Sequence, residues 1–262
     1  MKRNLSIVGL LILLVCNSVL AADAKTLLAI FAHPDDESTV APILARYARE
    51  GVAVTVAIAT DGRYGAQDFA GIPEGDELAA VRDEEMKCAA AKLGVKLVHY
   101  DYHDQLRAAE GYDGHIPHVR ALLQDIAELI AKVRPDAIIT WGPDGGSNHM
   151  DHRLVGDTVT GVYLSRDWGK DISLYYYGTP ASLIDDEEAR SRYGVDDRYM
   201  TTVIQYEPQD FAAAADSLRC HRSQFTAATI ESMISSRTKR GPAIYLRRFE
   251  PPRERSDSLF EK

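Results

Sequence analysis

From Thr26 onwards, short apolar runs rich in Val and Ile alternate with longer helical patterns: TLLAIFA, STVAPILARYAREG, VAVTVAIAT, DELAAVRDEEMKCAAAKLG and VKLVHY. Strands covered by helices on both faces read as continuous apolar runs, so this alternation points to βαβ units feeding a parallel sheet. The pattern continues with the helix IPHVRALLQDIAELIAKVRP, ended by Pro135, and the short strand DAIITWG. Another helix begins near Asp151, and ISLYYYG, MTTVIQY and AIYLRRF read as further strands, with the helical run PQDFAAAADSLRCHRSQF between the last two. No repeat, low-complexity tract or long linker divides the chain. The expectation is one α/β domain over residues 23–262, with three layers and a mostly parallel sheet.

The 262 residues are 45% hydrophobic and 26% charged, enough for a substantial core without disulfide help. A net charge of −9 argues against a nucleic-acid partner, which needs a basic stripe, and favours a small-molecule or glycan ligand. MKRN followed by LSIVGLLILLVCNSVLAA has the charged start, apolar middle and small-residue end of a secretory signal, with cleavage expected after Ala21 or Ala22. The mature protein is then extracytoplasmic, periplasmic or secreted, with no stable membrane insertion. An uncleaved anchor is the alternative reading; lipid attachment at Cys16 is disfavoured by Val15 before it. The remaining cysteines, Cys88 and Cys220, read as small core residues, and a single bridge between them is left open.

Ligands of such sheets sit outside the carboxyl ends of the strands, so the loops that follow strands matter most. Three are heavily loaded: AHPDDE, TDGRYG and WGPDGGSNHMDH. The first offers His33, Asp35, Asp36 and Glu37, and the third Asp144, His149, Asp151 and His152. A catalytic zinc takes three nitrogen or oxygen ligands and keeps one position open, which two histidines and one carboxylate satisfy. A spare acid then serves as proton acceptor, and spacing alone does not decide which acid is spare. The competing reading is that these acids only cap helices. Asp104 and Asp144 read as loop-shaping acids, and one tyrosine of YYYG is a candidate for stacking on a sugar.

AHPDDE, TDGRYG, RDEE followed by AAAKLG, GPDGGSNHMDHR and the late HRSQ together resemble the successive motifs of the LmbE-like (PIG-L) N-acetylglucosamine deacetylases, over about Thr26 to Gln224. The resemblance implies a Rossmann-like fold and a zinc-dependent N-deacetylase, with Fe2+ as another eligible metal. It implies His33, Asp36 and His152 as metal ligands, Asp35 as general base and His149 as oxyanion stabiliser, with Asp151 holding His149. It places Arg82 against substrate; the competing reading is an exposed helix arginine paired to Glu85. Glu37 is left to the helix start, and homo-oligomerisation stays open. Two rival functions remain: an amidase or esterase acting on a different acyl substrate at the same metal, and a non-catalytic carbohydrate- or metal-binding protein. A nucleotide-binding reading is weaker, because no GxGxxG follows the first strand.

Overall fold

A computed structural model describes residues 24–249, so the expected secretory segment lies outside the described residues. In chain order the strands are β1 (Thr26–Phe31), β2 (Ala53–Thr60), β3 (Lys96–Tyr102), β4 (Ala137–Trp141), β5 (Ser173–Tyr177), β6 (Thr179–Pro180), β7 (Gly194–Val195), β8 (Thr202–Gln205) and β9 (Ala243–Arg248). Seven of them form one sheet in the order β3-β2-β1-β4-β5-β9-β8, while β6 and β7 pair only with each other. The first five are mutually parallel, and β9 runs antiparallel to both of its neighbours.

The helices are α1 (Ala41–Arg49), α2 (Asp76–Leu93), α3 (Tyr112–Val133), α4 (Met150–Leu164), α5 (Glu187–Tyr193), α6 (Pro208–Leu218) and α7 (Ala227–Arg240). Alternate residues of each strand supply two cores. Leu27, Ala29 and Phe31 of β1 pack with Ile43 and Leu44 of α1, Met86 of α2 and Ala214 of α6. Leu28 and Ile30 pack on the other face with Ile126 of α3 and Val159 of α4. Period-two alternation with both faces apolar is why β1 reads as one unbroken hydrophobic run. The expected mostly parallel, three-layer α/β architecture is therefore the observed one.

One local expectation needs correction, and one left open is decided. The helical run starting at Pro208 stops at Leu218, and the chain then turns so that His221 becomes fully buried. Cys88 and Cys220 are joined in a disulfide, with Cα atoms 5.9 Å apart, which fastens that turn to α2. No helix among the described residues is long and apolar enough to cross a membrane.

The strand order fixes where a ligand can sit. From β1 the chain leaves toward β2 on one side, and from β4 toward β5 on the other, although β1 and β4 are adjacent. Their outgoing loops diverge and leave a crevice at the carboxyl edge, a topological switch point. AHPDDE follows β1 and WGPDGGSNHMDH follows β4, so the two most charged loops face each other across it.

Candidate active site

His33, Asp36 and His152 converge in this crevice. Nε2 of His152 lies 3.1 Å from Oδ1 of Asp36 and 3.2 Å from Nδ1 of His33, and that Nδ1 is 3.7 Å from Oδ2 of Asp36. A tetrahedral ion with bonds of about 2.0–2.1 Å holds its ligands about 3.3 Å apart, and the two contacts of His152 Nε2 match that spacing.

The outer contacts decide which atoms face inward. Nδ1 of His152 donates to the Gly145 carbonyl at 2.9 Å, and Nε2 of His33 donates to the Asp151 carboxylate at 3.0 Å. Both partners only accept, so each inner nitrogen presents a lone pair. Asp36 is aimed by the backbone N–H groups of Ala32 and His33, at 3.0 and 2.9 Å, and by the Trp141 indole N–H at 3.3 Å, all on Oδ2. Its Oδ1 is left to the centre. Trp141 also stacks on the His152 ring at 4.3 Å between centroids. Two lone pairs and a carboxylate oxygen so close together repel unless a cation lies between them, and the donor set therefore fits a divalent metal.

In the metal-free protein a proton takes that part. Burial alone would lower the His33 pKa, but its contacts with Asp151 and Asp36 outweigh burial and raise it to about 10. Asp36 is held well below the usual carboxylate range: burial opposes this, and His152 and His33 overcome it.

Asp35 stands beside this set with φ 109 and ψ −22, a conformation that strains any residue with a side chain. Its Oδ2 accepts from Nη2 of Arg82 at 3.0 Å. Burial pushes its pKa up to about 6, against the pull of Arg82. That range suits a general base working near neutrality.

Arg82 is only 3% exposed, so the exposed-pair reading does not hold. Its guanidinium donates to the carbonyls of Pro34 and Gly62 as well as to Asp35. Glu85 instead accepts from the backbone N–H and hydroxyl of Ser223, both at 2.7 Å. The glycines of TDGRYG make room for this arginine: a Cβ on Gly62 or Gly65 would lie 2.4 or 2.6 Å from Nη1. Asp104 shapes the same loop, accepting from the backbone of Gly62 at 2.9 Å and of Tyr64 at 2.8 Å. Asp144 takes the Gly146 N–H at 2.9 Å.

His149 is the exposed N-cap of α4. One of its ring nitrogens and one each from His33 and His152 lie within 4.8 Å of one another, yet it is poorly placed to ligate. Its Nδ1 accepts the Asp151 backbone N–H at 3.2 Å, so Nε2 carries the proton as a donor, and the ring lines the cavity beside the centre. Burial, then the nearby His33 and His152, lower its pKa and keep it neutral. Asp151 departs from its expected role here, since its carboxylate lies on His33 and not on His149.

Sequence reasoning missed three supports. The Asp151 carboxylate also takes the backbone N–H of Gln105 at 2.9 Å, Trp141 braces both Asp36 and His152, and Glu37 is buried against His221. Tryptophan at the end of DAIITW was the one available signal, because an indole N–H at a strand end needs a partner. Cavities open on both sides of the centre, and Asp35, Asp36 and His152 line both. One, of about 290 Å³, also meets Arg82, His149 and Gln224. The other, of about 900 Å³, is walled by Tyr177, Tyr193 and Phe225.

A Rossmann-like α/β domain with two histidines and an aspartate converging at its switch point, and the half-buried Asp35 beside them, has the form of a candidate hydrolytic metal site. The family described as PIG-L, GlcNAc-PI de-N-acetylase, matches residues 28–163, and the chain belongs to that family. It is 33% identical over 138 residues to the 1D-myo-inositol 2-acetamido-2-deoxy-alpha-D-glucopyranoside deacetylase of Corynebacterium glutamicum strain R, covering 47% of this chain and 48% of that protein. The chain thus spans about half the length of the first relatives it matches. The protein of the same description from Saccharomonospora viridis is 29% identical over 233 residues, covering 76% of this chain and 85% of its own length. Among solved structures, N,N'-diacetylchitobiose deacetylase from Pyrococcus horikoshii superposes with a TM-score of 0.63 at 22% identity, covering 87% of this chain and 84% of that one.

Proposed function

We propose that the protein is a zinc-dependent hydrolase that removes the acetyl group from an N-acetylated amino sugar or glycoconjugate outside the cytoplasm. The observation that carries this reading is the pair of inward ring nitrogens of His33 and His152 facing Asp36, with the strained acid Asp35 beside them. The printed activities of the relatives, both deacetylations of 2-acetamido sugars, support the substrate class. The signal-like N-terminus and the Cys88–Cys220 disulfide support an oxidising compartment.

His33, Asp36 and His152 would hold the zinc, which supplies a Lewis acid that acidifies water and polarises the amide carbonyl. Asp35, kept close to the working pH, takes the proton from the attacking water. Neutral His149 offers its Nε2 proton to the oxyanion of the tetrahedral intermediate. Asp35 or His149 then protonates the leaving amine as the C–N bond breaks. Asp151 and the Gly145 carbonyl keep the two histidine ligands turned inward, and Arg82 holds the Asp35 carboxylate in the crevice.

The test is metal analysis together with acetate release from a panel of N-acetylated sugars, with simple esters as the competing acyl class. The expected result is one zinc per chain and sugar deacetylation, with Asp35→Asn retaining the metal and losing turnover. No stoichiometric divalent metal, even after reconstitution, overturns the mechanism; turnover of esters alone overturns the substrate class. A non-catalytic binder predicts no activity for Asp35→Asn to remove.

A further inference from the structure

Glu37, the last acid of the first loop, is expected from sequence only to serve a helix start. In the fold it is fully buried, and so is His221, 184 residues away. Nε2 of His221 lies 2.9 Å from Oε1 of Glu37, and Oε2 of Glu37 accepts the backbone N–H of Asp35 at 3.1 Å. That N–H belongs to the residue with φ 109, so the strained peptide rests on a buried acid and the acid on a buried histidine. Nδ1 of His221 is buried without a partner, which leaves the contact with Glu37 as the ring's one hydrogen bond.

The loop carrying His221 is itself fixed at two points. Cys220 is bonded to Cys88, and Ser223 donates twice to Glu85. Both anchors are on α2, the helix that also carries Arg82. One helix therefore reaches Asp35 by two routes: directly at the carboxylate through Arg82, and at the backbone through the loop, His221 and Glu37.

A buried charged or polar pair stabilises a fold little compared with an apolar one of the same shape, so stability alone gives it no reason to be here. Strained residues persist only where their surroundings over-determine them. We propose that Glu37 and His221 are positioning residues for Asp35, holding its peptide in the left-handed conformation so that its carboxylate faces the attacking water. This rests on the reading of Asp35 as general base.

The experiment compares Glu37→Met, which fills the same volume without an acceptor, with Glu37→Gln and His221→Gln, which keep hydrogen-bonding groups of similar reach. Four quantities are read in each: bound zinc, KM, kcat for an acetylated sugar, and hydrogen exchange at the Asp35 amide. Expected for Glu37→Met is a fall in kcat of about 10²-fold, the scale of a small misplacement of a reacting group, with zinc content and KM within about twofold. Its Asp35 amide exchanges faster, and both glutamine variants recover most of the protection and of kcat. Unchanged exchange and kcat in Glu37→Met overturns the proposal, as does a loss of kcat that only tracks loss of zinc. If the wild-type protein deacetylates nothing, the functional reading fails, while amide exchange still judges the positioning contact.

Discussion

The Asp151 carboxylate lies 3.0 Å from Nε2 of His33, while His149, two residues before it, meets only the Asp151 backbone N–H. A carboxylate on the outer nitrogen of a metal-binding histidine fixes its tautomer and raises its basicity. Asp151→Asn is therefore expected to weaken zinc binding by about 10–100-fold, the usual cost of losing such a partner. Competition with a chelator of known affinity measures it, and an unchanged affinity would show that the carboxylate does not act through His33.

Zinc binding should also depend on pH through His33. Its pKa in the metal-free fold is raised to about 10, so at neutral pH the metal must displace a proton. Affinity should fall about tenfold per pH unit as pH drops below 10, for as long as one proton is displaced. The sign for folding follows from the same shift. A raised histidine pKa stabilises the metal-free protein fully below about 6.5, and the contribution is lost as pH rises through about 10. Titrations at several pH values with proton release measured calorimetrically check this; a pH-independent affinity between pH 6 and 8 contradicts it.

Gly65 faces the arginine that holds Asp35. A Cβ there would lie 2.6 Å from Nη1 of Arg82 and 3.2 Å from the Gln224 side chain. Because Arg82 is pinned by two backbone carbonyls, it cannot yield freely. Gly65→Ala is expected to lower kcat by about 10-fold or more through displacement of the guanidinium, with zinc content unchanged. Steady-state kinetics with metal analysis decides, and wild-type kcat would mean that Arg82 has slack the structure does not show.

The disulfide closes a loop of 132 residues between Cys88 and Cys220. Chain-entropy reasoning puts the stabilisation from so long a loop at about 4–5 kcal/mol as an upper value. The double variant Cys88→Ser/Cys220→Ser should lose about 2–5 kcal/mol in denaturant unfolding, and wild-type protein in reductant should lose a similar amount. Equal midpoints with and without reductant would show that the bridge does not form.

The layered architecture was legible because strands buried on both faces leave a local record. TLLAIFA and VAVTVAIAT are apolar throughout, and every residue of Leu27–Phe31 is indeed buried. The helix Ala227–Arg240 leaves no clear mark in the sequence, since only Ile230 on it is buried and an exposed helix imposes little period. The helical pattern from Pro208 runs on past the true helix end because Arg219–Phe225 has no proline or glycine to stop it. What ends it is the burial of His221, a tertiary event.

Which chemistry the crevice offers is written into local spacing. His33, Asp35 and Asp36 are fixed to one turn, and His149, Asp151 and His152 to one helix start, so covalent spacing keeps each group together in any fold that preserves those elements. How the groups divide the work is set by packing between distant elements. Whether Asp151 serves His33 or His149, and whether Glu37 caps a helix or meets His221, depends on contacts across 118 and 184 residues of chain. Hydrogen bonds of that range are set by strand order and helix docking, which bring β1 beside β4 and the α6 end beside the first loop, and no local pattern in the sequence encodes them.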